Sequence, residues 1–391
     1  MNAGTTTRTL DLLVVGAGPA GLASAIAAAR QGLQVEVIDA MKPPIDKACG
    51  EGLMPSALAA LATFGLDLTG NLSQSESALL RGIRYIGQPS TSHASSRNTV
   101  IEATFLGGPG HGIRRTVLHQ LLLDRAASLG IRFQWETVVQ SLAQQNDSVQ
   151  LSTNRRSFNA HYLVGADGHC SRIANWANLS RSTIYSTRIG LRQHYVIAPW
   201  TDHVEVYWSD RGQAYITPVS STTVCVAFIA YQKFNRPAEA LAHFPDLARR
   251  LATAIPSSAP RGSITYGSTL HRVTSGNIAL VGDASGSVDA IIGEGMALCF
   301  RQAAALAQSL RSDDLPAYQA AHRNIQRLPT LVSRSLLLMG RSPRLRACVL
   351  SAFEHNPNLF SRLLQIHAGH SSLNTFSENR LLTTGSNLLP S

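Results

Sequence analysis

The chain has 391 residues, 44% hydrophobic and only 15% charged, which suits a large core shared by two joined lobes and excludes a disordered protein. Lys+Arg number 34 against 24 Asp+Glu, a formal net charge of +10 carried almost wholly by arginine, and its scatter along the chain argues against nucleic acid as a partner. Five cysteines without a CxxC pair argue against a disulfide framework or a zinc or other metal site, and with no long apolar run they lead to the expectation of a soluble, cytoplasmic protein.

In chain order, Leu10-Asp11-Leu12-Leu13-Val14-Val15 reads as a buried parallel strand. It runs into Gly16-Ala17-Gly18-Pro19-Ala20-Gly21 and then an alanine-rich helix over 22–29. In such a turn Gly16 permits the tight bend and Gly18 lets the backbone approach a pyrophosphate. Gly21 lets helix and strand pack closely, and the helix amino terminus offers N–H groups to the anion. A second strand over 33–38 ends at Asp39, whose carboxylate can accept from ribose hydroxyls and disfavours the 2′-phosphate of NADP at this site. That succession specifies a dinucleotide site and leaves FAD and NAD both open.

Further strands are expected over 82–88 and 100–106, with an exposed Ser/Thr/Asn-rich loop over 89–98. Arg114-Arg115-Thr116-Val117-Leu118 opens an amphipathic helix, and residues 160–168 form a strand running into an acidic glycine turn, Asp167-Gly168. Alternating segments at 190–197, 204–208, 214–219 and 224–229 follow without intervening helices and predict an antiparallel sheet. Its polar residues Arg192, His194, Tyr195, Tyr207, Trp208 and Tyr215 are candidates for substrate contact, although a lone histidine such as His194 is more often a satisfied surface residue. Gly276-Asn277-Ile278-Ala279-Leu280-Val281-Gly282-Asp283-Ala284 repeats the strand-and-acidic-turn format and leads through Gly293-Glu294-Gly295-Met296-Ala297 into a long helix over 298–310. From Pro329 onward come helices with an apolar and an arginine-rich face, suited to capping a cavity, to a dimer face or to peripheral membrane contact. Residues 371–391 show little periodicity and read as loose.

Together these motifs resemble the FAD-dependent oxidoreductases of the para-hydroxybenzoate hydroxylase and geranylgeranyl reductase superfamily, over most of residues 10–310. The resemblance implies an α/β, two-lobed architecture. It comprises a Rossmann-like FAD-binding domain of the glutathione reductase type, an antiparallel β substrate domain above the flavin, and a helical C-terminal arm. The corresponding divisions are 1–81, 107–179 and 268–328 for the FAD domain, 82–106 and 180–267 for the substrate sheet, and 329–391 for the arm and tail. By the same resemblance Asp283, after Gly282, holds a ribityl hydroxyl, and Gly293 and Gly295, beside Met296, present backbone N–H groups to the flavin. Arg115, with Arg114 as second choice, pairs with a phosphate, and Asp167 lies near FAD. Lys47-Ala48-Cys49-Gly50-Glu51-Gly52-Leu53 resembles the KxCGEGL loop of geranylgeranyl reductase-like flavoproteins, which places Cys49 and Gly50 against the flavin ring. Cys49 reads as a small packed residue in preference to a redox-active one, since no second cysteine lies nearby in sequence.

Two departures stand out. The YxWxFP sequence of the reductases is met by Gln213-Ala214-Tyr215-Ile216-Thr217-Pro218, which keeps the proline, and Ala290 stands where both subfamilies usually have proline. No GxSxG, HExxH or Walker lysine loop is present, so the chemistry belongs to the flavin. Cys49, Arg192, His194 and Tyr215 are the candidates nearest the substrate. The first expectation is an NAD(P)H- and oxygen-dependent monooxygenase hydroxylating an aromatic or lipophilic small molecule, with NAD(P)H bound transiently. The second is a C=C reductase of an isoprenoid or polyene. A third, of another class, is a non-catalytic lipid carrier, against which stands the retention of every FAD motif.

Overall fold

The computed structural model describes residues 9–68, 72–87, 98–145 and 147–367. The expected loop at 89–98 lies almost wholly outside these residues and the tail at 371–391 wholly so.

Leu12, Leu13 and Val14 are completely buried, as an apolar strand without alternation requires. Their strand, Leu10–Val15, is the middle of a mixed sheet, paired in parallel with Val35–Ile38 on one side and Ser157–Gly165 on the other. Arg132–Gln134 and Ile278–Leu280 extend the parallel part outward. The register sets Val15 opposite both Ile38 and Gly165, and Gly165 opposite Leu280. Four strands therefore end level, and the loops that begin at Gly16, Asp39, Ala166 and Val281 leave from one carboxyl edge, where open α/β sheets bind ligands. Helices Pro19–Arg30, Arg115–Ser128 and Gly295–Arg311 belong to this lobe, the first packing against the other two.

The second sheet has the order Ile255–Pro256, Ser182–Val196, Thr223–Ala230, Gly212–Ser220, His203–Ser209, Gly82–Gly87 and Thr99–Thr104, with Arg261–Leu270 also paired to Ser182–Val196. The two early strands join it through a parallel pairing of Gly82–Gly87 with His203–Ser209. A small third sheet, Gly52–Leu53, Gly110–Ile113 and Ser77–Leu80, lies between the lobes in sequence order. Beneath one face of the large sheet a second apolar cluster joins Ile83, Val206 and Ile229 to Val332, Leu336 and Phe360 of the C-terminal helices.

Pro329 does not open the arm. It lies inside a 27-residue helix, Leu315–Arg341. A proline inside a helix removes one backbone hydrogen bond and crowds the preceding turn, yet the buried stripe of Ile325, Val332, Leu336 and Met339 continues past it, and that packing carries the helix on. Pro343–His355 and Pro357–His367 follow. No helix of the described residues is long and apolar enough to cross a membrane.

Candidate functional site

The level strand ends open into a cavity of about 610 Å³ that reaches from the first sheet to the C-terminal helices. Gly16, Gly18, Ala20, Asp39, Cys49, Gly50, Arg115, Asp167, Gly282, Asp283, Gly293, Gly295 and Met296 all line it, together with Arg192 and Tyr215 of the second sheet. Gly21 stands behind the wall: a Cβ there would lie 1.8 Å from the Gly16 carbonyl oxygen, so this glycine serves the packing of helix on strand. Tyr195, Tyr207 and Trp208 do not reach the cavity. Tyr195 and Tyr207 point into the apolar cluster on the opposite face, and Trp208 packs edge-on against Tyr85 with ring centroids 5.5 Å apart.

Several features of the cradle end suit a bound dinucleotide. A Cβ built on Gly18, Gly50, Gly168 or Gly295 meets nothing within 4 Å, so backbone is bared to open space at four points of the wall. The helices starting at Pro19 and Gly295 have no side-chain cap at their amino ends, which leaves N–H groups and positive dipole ends for an anion, whereas the start of the Arg115 helix already faces the Glu51 carboxylate. The buried Nε of Arg115 has no hydrogen-bond partner among the described residues. Asp39 is held by the turn it faces, Oδ2 accepting from the Ala17 N–H at 2.6 Å and Oδ1 from the Met41 N–H at 2.7 Å. These residues fit FAD.

Asp283 is half-exposed at 39%, and its Oδ2 meets Lys47 Nζ at 3.1 Å and His169 Nδ1 at 3.0 Å. Burial acts to raise its carboxyl, but the His169 hydrogen bond and the Lys47 charge outweigh it and hold the group well below the ordinary carboxylate range. The loop carrying Asp283 is clamped from behind by one face of the helix Leu315–Arg341. Tyr318 donates to the Leu280 carbonyl at 2.8 Å, His322 Nε2 lies 2.9 Å from Ser285 Oγ, and Gln326 donates to the Gly286 carbonyl at 3.1 Å. Asp167 takes a structural position beside the cavity: its carboxylate accepts from Ser171 Oγ and from the Arg172 N–H at the start of the next helix, at 2.6 and 2.8 Å.

The other arm of the cavity is apolar. Ile83, Val204, Val206 and Ile291 face Val332, Leu336, Phe360 and Leu364 across it. Tyr215 belongs to this wall, for its hydroxyl donates to the Ile291 carbonyl at 2.8 Å and burial keeps its phenol well above the usual range. The Lys47–Leu53 loop runs from one arm to the other, with Lys47 on Asp283 and Gly52 beside Val204 and Thr217.

Behind that loop lies a buried polar group that the sequence reading did not assemble. His194 is 1% exposed, not a surface residue, because its strand is covered by the loop, and its Nε2 lies 2.6 Å from Glu51 Oε2. It is outside the cavity lining but touches a residue that is part of it. Arg192 reaches Asp46 and places Nη1 3.2 Å from His194 Nδ1, while the Arg115 N–H donates to Glu51 Oε1 at 3.0 Å. Ligand-type atoms of Glu51, His194 and Cys225 come within 4.8 Å of one another. Each is already engaged, however: the Cys225 thiol faces the Cys49 carbonyl at 3.7 Å. Burial pushes both the Cys49 and the Cys225 thiols up, so both are held as neutral thiols. A second missed pair, Arg188 and Asp289, is wholly buried and joined by Ser186 and Gln213. The segments containing all these residues were legible, but the deciding pairs, Glu51 with His194 and Arg188 with Asp289, lie 143 and 101 residues apart and follow no local period.

Comparison with known proteins agrees with the cradle. The FAD binding domain family matches residues 9–313. The menaquinone reductase of Mycolicibacterium smegmatis is 27% identical over 334 residues, covering 80% of this chain and 78% of that one. Digeranylgeranylglycerophospholipid reductase 2 of Methanosphaera stadtmanae is 28% identical, covering 73% and 74%. Among solved structures the flavin-dependent brominase Bmp2 aligns with a TM-score of 0.77 at 16% identity, over 96% of this chain and 99% of that one, which is a likeness of fold.

Proposed function

The chain belongs to the FAD binding domain family, and from that premise we propose that it is a flavin-dependent reductase that saturates a C=C bond in a prenyl chain, with NAD(P)H as the electron source. The observation that carries this reading is the form of the cavity. A cradle for the cofactor and an apolar arm without a charged side chain meet at the Lys47–Leu53 loop, so a flexible hydrocarbon can lie in the arm with one end at the reacting centre. Curated relatives named as reductases of menaquinone and of a digeranylgeranyl lipid support the same choice. It reverses the order of preference drawn from the motifs, in which the hydroxylase stood first.

Gly16, Gly18, Asp39, Arg115 and Asp283 would hold the cofactor, and Gly293 and Gly295 would present N–H groups to it. When bound, it supplies two-electron chemistry, accepting and passing on a hydride equivalent. The residues of this chain bind the prenyl chain, keep water from it and place it. Exposed Leu331, Leu338 and Leu345, interleaved with exposed Arg334, Arg341 and Arg344, suit contact between the arm and an anionic lipid surface from which such a substrate would be drawn.

The test is anaerobic incubation of the FAD-loaded protein with NADPH and a menaquinone bearing two isoprene units, followed by mass analysis of the side chain after reoxidation of the ring. A side chain two hydrogens heavier is expected. Incorporation of oxygen-18 into product in air, with no anaerobic saturation, would return the hydroxylase to first place.

A further inference from the structure

We propose that Ser258, His194 and Glu51 form a proton relay from the outer edge of the second sheet to the cavity wall, supplying the proton that completes saturation of the double bond. The proposal deepens the reductase reading and rests on it for the proton's destination.

Hydrogen-bond geometry gives the relay a direction. A guanidinium can only donate, so with Arg192 Nη1 at 3.2 Å the His194 Nδ1 acts as acceptor and the ring proton resides on Nε2. That proton points at Glu51 Oε2, 2.6 Å away. On the other side Ser258 Oγ accepts the His194 backbone N–H at 3.1 Å, which leaves the hydroxyl's own hydrogen for Nδ1 at 2.9 Å. Ser258 is half-buried between exposed Ser257 and Ala259 on the segment after Ile255–Pro256, and the segment is tied down by Gln193 Nε2 on the Ser258 carbonyl at 2.9 Å. Water thus reaches one end of the chain.

The inner end is fixed with equal care. Glu51 is 1% exposed and lines the cavity. Its φ of 61° lies in the left-handed region, which a non-glycine residue occupies at a cost and which is retained where a side chain must be aimed. The charged and titratable groups facing the pair are Arg192 on the same strand, Asp46 with Arg261 Nε at 3.3 Å, Arg115 at the helix start, and the Cys49 and Cys225 thiols. The two thiols are held neutral by burial and Arg192 is tied to Asp46, which leaves the imidazole and the carboxylate as the mobile proton carriers.

In the step, a hydride equivalent from the reduced cofactor adds to one carbon of the double bond, and the π electron pair takes a proton at the other. The Nε2 proton of His194 passes to Glu51 and on to that carbon, Nδ1 takes the Ser258 hydroxyl proton, and water refills Ser258. The ring is then protonated on Nδ1, and proton exchange with water between turnovers restores the starting tautomer.

The experiment uses FAD-loaded protein kept reduced with dithionite, without oxygen, and the two-isoprene menaquinone as probe. Side-chain saturation is expected to fall by about 10²-fold or more in Glu51→Gln and by about tenfold in His194→Gln, in keeping with loss of general acid catalysis, with FAD still bound. Ser258→Ala, which removes one half-buried hydroxyl, is expected to slow saturation with folding intact. Independently of turnover, the ¹⁵N spectrum of histidine-labelled resting protein, assigned by difference with His194→Gln, should show His194 protonated on Nε2 and bare on Nδ1. Wild-type saturation rates in both His194→Gln and Ser258→Ala, or a resting proton on Nδ1, would overturn the relay and leave the reductase reading standing. A wild-type protein that leaves the side chain unsaturated while showing the expected ¹⁵N pattern would overturn the reductase reading alone.

Discussion

Gly18 and Gly21 are three residues apart and fail in opposite ways when a side chain is added. At Gly18 the new atoms enter open cavity, whereas at Gly21 they run into the Gly16 carbonyl oxygen at 1.8 Å. Gly18→Val is therefore expected to leave the melting temperature of the apoprotein near that of wild type and to abolish flavin retention, read as absorbance of the purified protein. Gly21→Ala is expected to lower the melting temperature itself. Buried charge gives a second residue-scale expectation. With both side chains at 0% exposure, Asp289→Ala strands the Arg188 guanidinium, a loss of about 3–5 kcal/mol that a urea titration would report. The glycines were legible in the sequence because their roles are local and their spacing is set by one turn. His194 was a candidate and Glu51 part of a recognised loop, but their pairing was not legible, since it comes from lying 2.6 Å apart across 143 residues of chain.

The helix Leu315–Arg341 shows how a whole element can be misread. A proline at 329 looks like a boundary, yet the helix runs through it, and Tyr318, His322 and Gln326, at i, i+4 and i+8, share one side and hold the loop of Asp283. His322 is pushed down from 6.5 to about 4, chiefly by burial with help from the Arg323 charge. The unfolded chain takes up a proton near 6.5 and the folded chain resists until about 4, so the unfolded state binds more protons in that window. Stability from this residue is full above pH 6.5 and is lost as pH falls toward 4, by on the order of 3 kcal/mol. Urea midpoints measured across the window should fall for the wild type and fall less steeply for His322→Gln. Equal slopes would mean that His322 is not the group responsible.

At the scale of the molecule, chain order and spatial order part company in an instructive way. The parallel core and its glycine turn follow from apolar runs and a short motif, and a run of alternating strands was enough to predict a second sheet. The expected division already put 82–106 in that sheet, but neither pattern shows that Gly82–Gly87 pairs in parallel beside His203–Ser209, because parallel pairing across such a separation leaves no local trace. FAD was legible and the reaction was not. The cofactor is recognised by backbone, whose geometry a motif encodes, whereas the apolar arm is a wall gathered from the sheet and the last helices, which no motif encodes.

That wall and the cofactor loop are served by the same rod. His322 braces the loop of Asp283, and Leu336, fourteen positions on, faces the apolar arm, a separation of about 21 Å along a helix axis. Inserting one residue between them would turn one end by about 100° against the other, and the brace and the wall could not both keep their places. The helix is thus a ruler: it fixes how far the apolar arm stands from the loop of Asp283.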